Sequence, residues 1–559
     1  MKILSYGFTV VFVASSLLSC SKSKNNLKQE RKKTKQEYYR LLKSRKAIER
    51  SEAILELTLE KDKKYDRIFI YLLENDPVSF VRVTSAIALA KRRVYKAKDK
   101  ILELLHNKSL YSKRNDLIYA LGLLKSKKAV PDIIPELFST SFQSQLNAVK
   151  ALESIKPRSL FFQVMSYYHR CQSKSQVKIK KQYLCPKINK DKAKIDKILL
   201  ELFAKIKDKN SINYVQKVFN HQRKKYKNKR KYSASTLAAS IFALGHLGVR
   251  GYAVKILSFI SHNSPAVQEQ SKTSEILLRN PRVLPKLYKY FRYFHSKTSL
   301  YATEIFLAIA PKYKVSDIVK LLQENTNKMD VSLATICRKW QISQCHNLIE
   351  KKLIEGNKFA KKEGRKELAL ALGKIGNQRS MLLLRRILLE KDGDGRYGAA
   401  LALAEKNDRE SLEVIHRLLR QTADKEFKLM LVLALQEFAD VSSVTILNEI
   451  LEQEQNLSLW IFPALLNIKS KKARSLVEHY LFDDNPFYAN TAFLAYSHLK
   501  DSQSLLVLQK LLKRLNTSIK NYAKKTRTII KLMKNISKLN LDSKKSWIKY
   551  NFSDFKPSS

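Results

Sequence analysis

The chain has 559 residues, 44% of them hydrophobic, and a formal charge of +57. That much apolar residue excludes a disordered polycation, and so large a basic excess makes anionic surfaces and polymers the ligands to weigh first. Gly and Pro number only 12 each, fewer than sheets, barrels and tight turns use, so the composition predicts an almost wholly helical protein.

In chain order, the first segment is residues 1–19. Lys2 supplies a positive start, "YGFTVVFVASSLL" (Tyr6 to Leu18) is apolar, and small residues lie near its end, the pattern of a secretory signal peptide. The run is too short for a comfortable membrane span, which needs about 20 apolar residues. Leu17-Leu18-Ser19-Cys20 resembles the lipobox of bacterial lipoproteins, in the relaxed form similar to that of spirochaetal lipoproteins. Leu18 is bulkier than the residue usual at its position. The resemblance implies cleavage before Cys20 and acylation of that cysteine, and hence an exported protein on a bacterial membrane, at the outer membrane, the cell surface or the periplasmic face. Residues 20–60 then read as a lipidated basic tether and a first helix, with 12 Lys+Arg against 3 Asp+Glu between residues 21 and 50. Beside anionic head groups each such cation adds about 1 kcal/mol of attraction.

From residue 61 an internal period appears. "VRVTSAIALA" from Val81, "GRKELALALGKIG" from Gly364 and "GRYGAALALAEKN" from Gly395 align without gaps on Arg82, Arg365 and Arg396, with an Ala-Leu pair six and seven residues later. Following that Leu gives Leu89, Leu121 and Leu152, then Leu244, Leu307, Leu372, Leu403, Leu435 and Leu466, at steps of 31 or 32 or about two or three times that. Each period holds two helical patterns. In the copy from Arg396, Ala399, Ala400, Ala402 and Leu403 mark the first, and Leu412, Ile415, Leu418 and Leu419 the second, with Ser411 as its expected cap. One such pair cannot bury its apolar face alone, so the pairs must stack. The expected fold is all-α, an α-solenoid superhelix of antiparallel helix pairs with a period of about 31 residues.

"DPVSFVRVTSAIALA" (Asp76 to Ala90) is similar to the HEAT repeat, in the short form first described in phycobilisome lyases, through Asp76-Pro77, Val81-Arg82, Ala86 and Ala88-Leu89. The resemblance implies an interaction scaffold and carries no chemistry. It sets residues 61–170 as N-terminal repeats, 233–512 as the main array, and 513–559 as a basic capping helix and tail. Residues 171–232 read as a basic insertion or degenerate repeats.

Charge is uneven along the chain. Residues 361–509 hold 21 Lys+Arg and 20 Asp+Glu, whereas residues 174–231 hold 20 and 4, and residues 510–549 hold 13 and 1. "RKKYKNKRK" places Arg223, Lys224, Lys225, Lys227, Lys229, Arg230 and Lys231 around Tyr226, a pattern suited to a polyanion or to a solvated face.

Beyond Cys20 there remain Cys171, Cys185, Cys337 and Cys345, an even number that permits two disulfides, with the local pairs Cys171–Cys185 and Cys337–Cys345 the simplest of three connectivities. No zinc spacing, P-loop, dinucleotide fingerprint or nucleophile elbow is present. "KDGDGRYG" begins like a calcium loop, but its twelfth position from Asp392 is Leu403 rather than Glu, so it reads as a turn. The sequence therefore predicts no cofactor, metal or catalytic residue. The expected partner is a cell-envelope protein bound by the neutral repeats. The alternative ligand is an acidic polysaccharide or host ligand on the lysine-rich stretch, and an exported chain is not expected to meet nucleic acid.

Overall fold

The computed structural model describes residues 35–60, 62–172, 191–292, 297–310, 315–324, 330–355, 364–391, 393–496, 498–499, 507 and 511. Every regular element among them is an α- or 3₁₀-helix. The chain divides into two compact units, residues 1–243 and 244–559, with the helix Ala234–His246 containing the division.

In the first unit a short helix, Lys35–Leu41, precedes a stack of helix pairs. The first members, called A helices here, are Ala47–Leu57, Ser79–Lys91, Arg114–Leu123, Phe142–Ile155 and Lys192–Ile206, each packed on the next. Their B partners are Lys64–Asn75, Lys98–His106, the run from Val130 to Phe138, Leu160–Gln172 and Ile212–Lys227. The stretch 171–232 thus contains a helix pair of its own, Lys192–Ile206 with Ile212–Lys227.

The second unit repeats the scheme. Its A helices run from Pro265–Leu278 and Lys297–Ile309 through Asp330–Trp340, Arg365–Ile375, Gly395–Glu405, Lys425–Phe438 and Ser458–Asn467 to Pro486–Tyr496. The faded copies at Gln270–Leu278 and Ser332–Trp340 lie on two of these. Such stacking makes the protein an α-solenoid.

The Ala-Leu pairs explain the stack. Leu89, Leu121, Leu152, Leu244, Leu372, Leu403 and Leu435 are all wholly buried, and the Ala before or beside them lets the next A helix approach. Two copies depart from the expected register. The buried residue is Phe306 rather than Leu307, and Leu465 rather than Leu466. In the latter copy the pair is Ala464-Leu465, one residue early, in a helix entered through a 3₁₀ turn (Gln455–Leu457) and carrying Pro463 inside it. Ser411 does not cap the following helix. It is buried, ends a 3₁₀ turn, and its hydroxyl donates to the Asp408 carbonyl at 2.7 Å.

Close approach peaks between Arg365–Ile375 and Gly395–Glu405. A Cβ on Gly398 would sit 2.2 Å from the Lys366 carbonyl oxygen, and one on Gly373 would sit 2.4 Å from the Ala402 Cβ. Backbone cannot yield to such a contact without separating the helices. Gly398→Ala is therefore expected to cost roughly 1–3 kcal/mol in urea unfolding, whereas Gly251→Ala, where a Cβ meets nothing within 4 Å, should change stability little.

Candidate binding surfaces

The Arg that marks the repeats has a structural task. Arg50, at the equivalent position of the first A helix, donates to both carboxylate oxygens of Asp76 at 2.7 and 2.8 Å, reaching from one repeat to the turn that opens the next. Asp76 also accepts the Val78 amide at 2.9 Å. Arg365 makes the same reach to Glu390 (2.8 Å), Arg396 to Asp424 (2.5 Å), and Lys428 to Glu454. Arg82 lacks an acid at that place and donates to the Leu73 carbonyl at 3.0 Å. At Asp424 burial pushes the carboxyl up. The Phe427 amide, Tyr397 hydroxyl and Arg396 guanidinium outweigh that and hold it below the ordinary carboxylate range. Tyr397 in turn is pushed up to about 12, by burial first and then by its bond to Asp424. These ions are spent between neighbouring repeats.

The lysine-rich cluster lies at the end of the B helix Ile212–Lys227 and in the turn beyond it. Asn228, Lys229 and Arg230 close the helix through amides donated to Lys224, Tyr226 and Lys225, with Lys229 left-handed at φ 53°. Lys224, Lys227, Lys229, Arg230 and Lys231 are exposed, while Arg223 and Lys225 are half-buried. Tyr226 and Tyr232 meet edge to face, their centroids 5.3 Å apart. Cations at a helix C-terminus also complement its dipole, worth about 0.3–1 kcal/mol each, which accounts for part of the cluster without any ligand.

Cys337 and Cys345 form a disulfide, with 6.3 Å between their Cα atoms, joining the A helix Asp330–Trp340 to the 3₁₀ turn Ser343–Cys345. Cys171 ends the helix Leu160–Gln172 and is disulfide-bonded. Cys185 and Cys20 lie outside the described residues, as do the signal segment, most of the tether and the basic tail.

One set of residues escaped the sequence reading. Four A helices of the first unit end on a basic residue with left-handed backbone: Arg93 (φ 59°), Lys125 (54°), Lys156 (50°) and Lys207 (58°). Glycine is the residue such a position favours. The signal was present, because Arg93, Lys125 and Lys156 recur at the repeat period, but a lone basic residue in a lysine-rich chain carries little weight.

Among the described residues, no group of three or more His, Cys, Asp and Glu side chains is placed to hold a metal ion, and no helix is long and apolar enough to cross a membrane. Two concavities among the described residues are open to solvent. One is lined by Asn377, Met381, Lys406, Asn407 and Asp408 between successive repeats, and another by Val315, Val319 and Gln323.

No protein-family model and no curated protein sequence matches the chain. Among solved structures it is similar to a crystal structure of importin beta, at 10% identity and a TM-score of 0.35, over 90% of this chain and 80% of that one. It is also similar to an engineered protein, at 15% identity and a TM-score of 0.19, over 84% of this chain and 99% of that one.

Proposed function

We propose that the protein is a lipid-anchored, HEAT-like repeat lipoprotein of the bacterial cell envelope that acts as a non-catalytic scaffold for protein–protein contacts. The observation that carries the scaffold reading is the surface left over after the repeats have used their own charges. In residues 364–499 Arg365, Arg385 and Arg396 join neighbouring repeats through Glu390, Asp408 and Asp424, whereas Ile354, Leu382 and Leu389, on or just beyond two successive B helices, stay half or more exposed. Exposed apolar side chains on a rigid array suit a protein partner better than a small or highly charged one. Export is supported by the signal-like start, the Cys20 lipobox and the Cys337–Cys345 disulfide, since such bonds persist in oxidising compartments.

A photo-crosslinking amino acid at Leu382 tests this in cells. A discrete crosslinked envelope protein is expected, and Ile354→Asp should abolish it while leaving the helical circular dichroism unchanged. Crosslinking no stronger than from an exposed lysine such as Lys406 would contradict the reading. A second reading, binding of an acidic polysaccharide or host ligand, is favoured by the cluster Arg223–Lys231, whose cations make no ion pair with a carboxylate among the described residues.

A further inference from the structure

The row of left-handed basic residues in the first unit is distinct from the Arg223–Lys231 cluster. It lies where A helices turn into B helices, whereas the cluster lies at the other edge, where a B helix turns into the next A helix. Each of its members closes an A helix with a left-handed residue. The amide after Arg93 donates to the Leu89 carbonyl at 2.9 Å, that after Lys125 to Leu121 at 3.0 Å, and that after Lys207 to Phe203 at 3.1 Å. Lys156 itself donates to Leu152 at 2.9 Å.

All four side chains are exposed, and none has an ion-pair partner among the described residues. Each turn adds at least one more exposed and equally unpaired cation: Lys96, Lys127, Arg158 and Lys209. The few acids nearby are already engaged, Asp99 by Lys128 at 3.1 Å, Glu153 by Lys205 at 3.4 Å, and Asp208 by the Phe161 amide at 2.8 Å. Those contacts tie the first turn to the second and the third to the fourth, and the A helices that end in these turns pack one on the next, so the turns lie in a row. With helices packed about 8–10 Å apart, four turns span roughly 30 Å.

The row is not a necessity of the repeat. In the second unit the same left-handed position is Arg279, Gln341, Asn407, Ala439 and Lys469, so its two cations are separated by three uncharged residues, and the turns between them include Asp408, Glu410 and Asp440. Four consecutive side chains that tolerate the left-handed region poorly, all basic, all exposed and all unpaired, call for an anion that recurs at the spacing of the repeats.

We propose that this row binds a linear acidic polysaccharide, one anionic segment to each turn. A bilayer is a poorer match, because the adjoining first turn of the same edge carries Glu60 and Asp62. Tyr95, half exposed with Lys98 4.9 Å over its ring, offers an aromatic face beside the cations for a sugar to lie on. The choice of polysaccharide over nucleic acid rests on the exported reading above.

Glycine makes the test clean, since it suits the left-handed position and removes the charge. The variant R93G/K125G/K156G/K207G should keep or raise its melting temperature. Its affinity for heparin, used as a linear sulfated probe with the full chain, should fall at least tenfold at about 0.1 M salt, with the slope of log K against log salt reduced by about three to four. The control R279G/K469G/K471S/K472S removes the same number of charges from the second unit and should change heparin binding less than about twofold, well inside that difference. Equal losses in both variants, or no loss in the first, would overturn the proposal. So would row-dependent binding to phosphatidylglycerol vesicles without heparin binding, or row-dependent binding to single-stranded DNA tighter than to heparin. Free thiols at Cys337 and Cys345 in cells would remove the export argument alone and leave a heparin result standing.

Discussion

Asp76→Ala is expected to destabilise the first unit by about 3–5 kcal/mol, the cost of leaving a buried charge without its partner. The Asp76 side chain is 1% exposed and that of Arg50 is 9% exposed, so water cannot take over when the carboxylate is removed. Arg50 would keep only the Ser44 and Arg45 carbonyls, at 2.8 and 3.1 Å. The Val78 amide would lose its acceptor as well, at the entry to the next A helix. Urea unfolding followed by circular dichroism reads the loss. The double variant Arg50→Met/Asp76→Ala should recover much of it, because an apolar pair is close to neutral where a lone guanidinium is not. A single-variant loss under about 1 kcal/mol would mean that the pair is solvated, and that the repeats are joined by apolar packing alone.

The second large effect is a pH dependence in the opposite unit. Glu275 is wholly buried on the A helix Pro265–Leu278, and neither carboxylate oxygen has a hydrogen-bond partner of normal geometry among the described residues. Burial pushes its carboxyl up to about 9, and the Leu257 backbone amide opposes this only in part. In the unfolded chain the group ionises near its ordinary 4.5. Between those values the unfolded state holds fewer protons than the native one, so stability falls as pH rises. The fall begins near pH 4.5, proceeds at about 1.4 kcal/mol per unit, and ends near 9. Raising the pH from 5 to 7 should therefore cost the second unit about 3 kcal/mol. Glu275→Gln should flatten the profile, and Glu275→Met should also stabilise the unit at pH 8. A wild-type profile level between pH 5 and 8 would show that water or a partner reaches the carboxylate.

The architecture was legible because it rests on residues that cannot be exchanged freely. An Ala-Leu pair that must face the next helix recurs at a fixed step, and scarce Gly and Pro leave only helices to carry it. The register slips at Phe306 and Leu465 were not legible, because each is an apolar residue directly before the expected Leu307 or Leu466, and only packing chooses between the two. The motif arginines could be aligned but not interpreted, since their acids lie 25 to 28 residues away in the next turn. Glu275 looked like any other helical Glu, for periodicity alone does not reveal that a residue one step from the polar face is enclosed. The left-handed lysines were hidden for a different reason. Helix ends are recognised by Gly or Asn, and these ends carry neither.

The reading of the protein as an exported scaffold depends most on Cys20. Intact-mass analysis of the mature protein purified from membranes, with peptide mapping of its N-terminus, addresses that residue directly. The mature chain is expected to start at Cys20 and carry the added mass of a diacylglyceryl group, with Cys20→Ser accumulating as the uncleaved precursor. A mature chain that starts elsewhere, or an unmodified full-length protein in the cytosolic fraction, would contradict it.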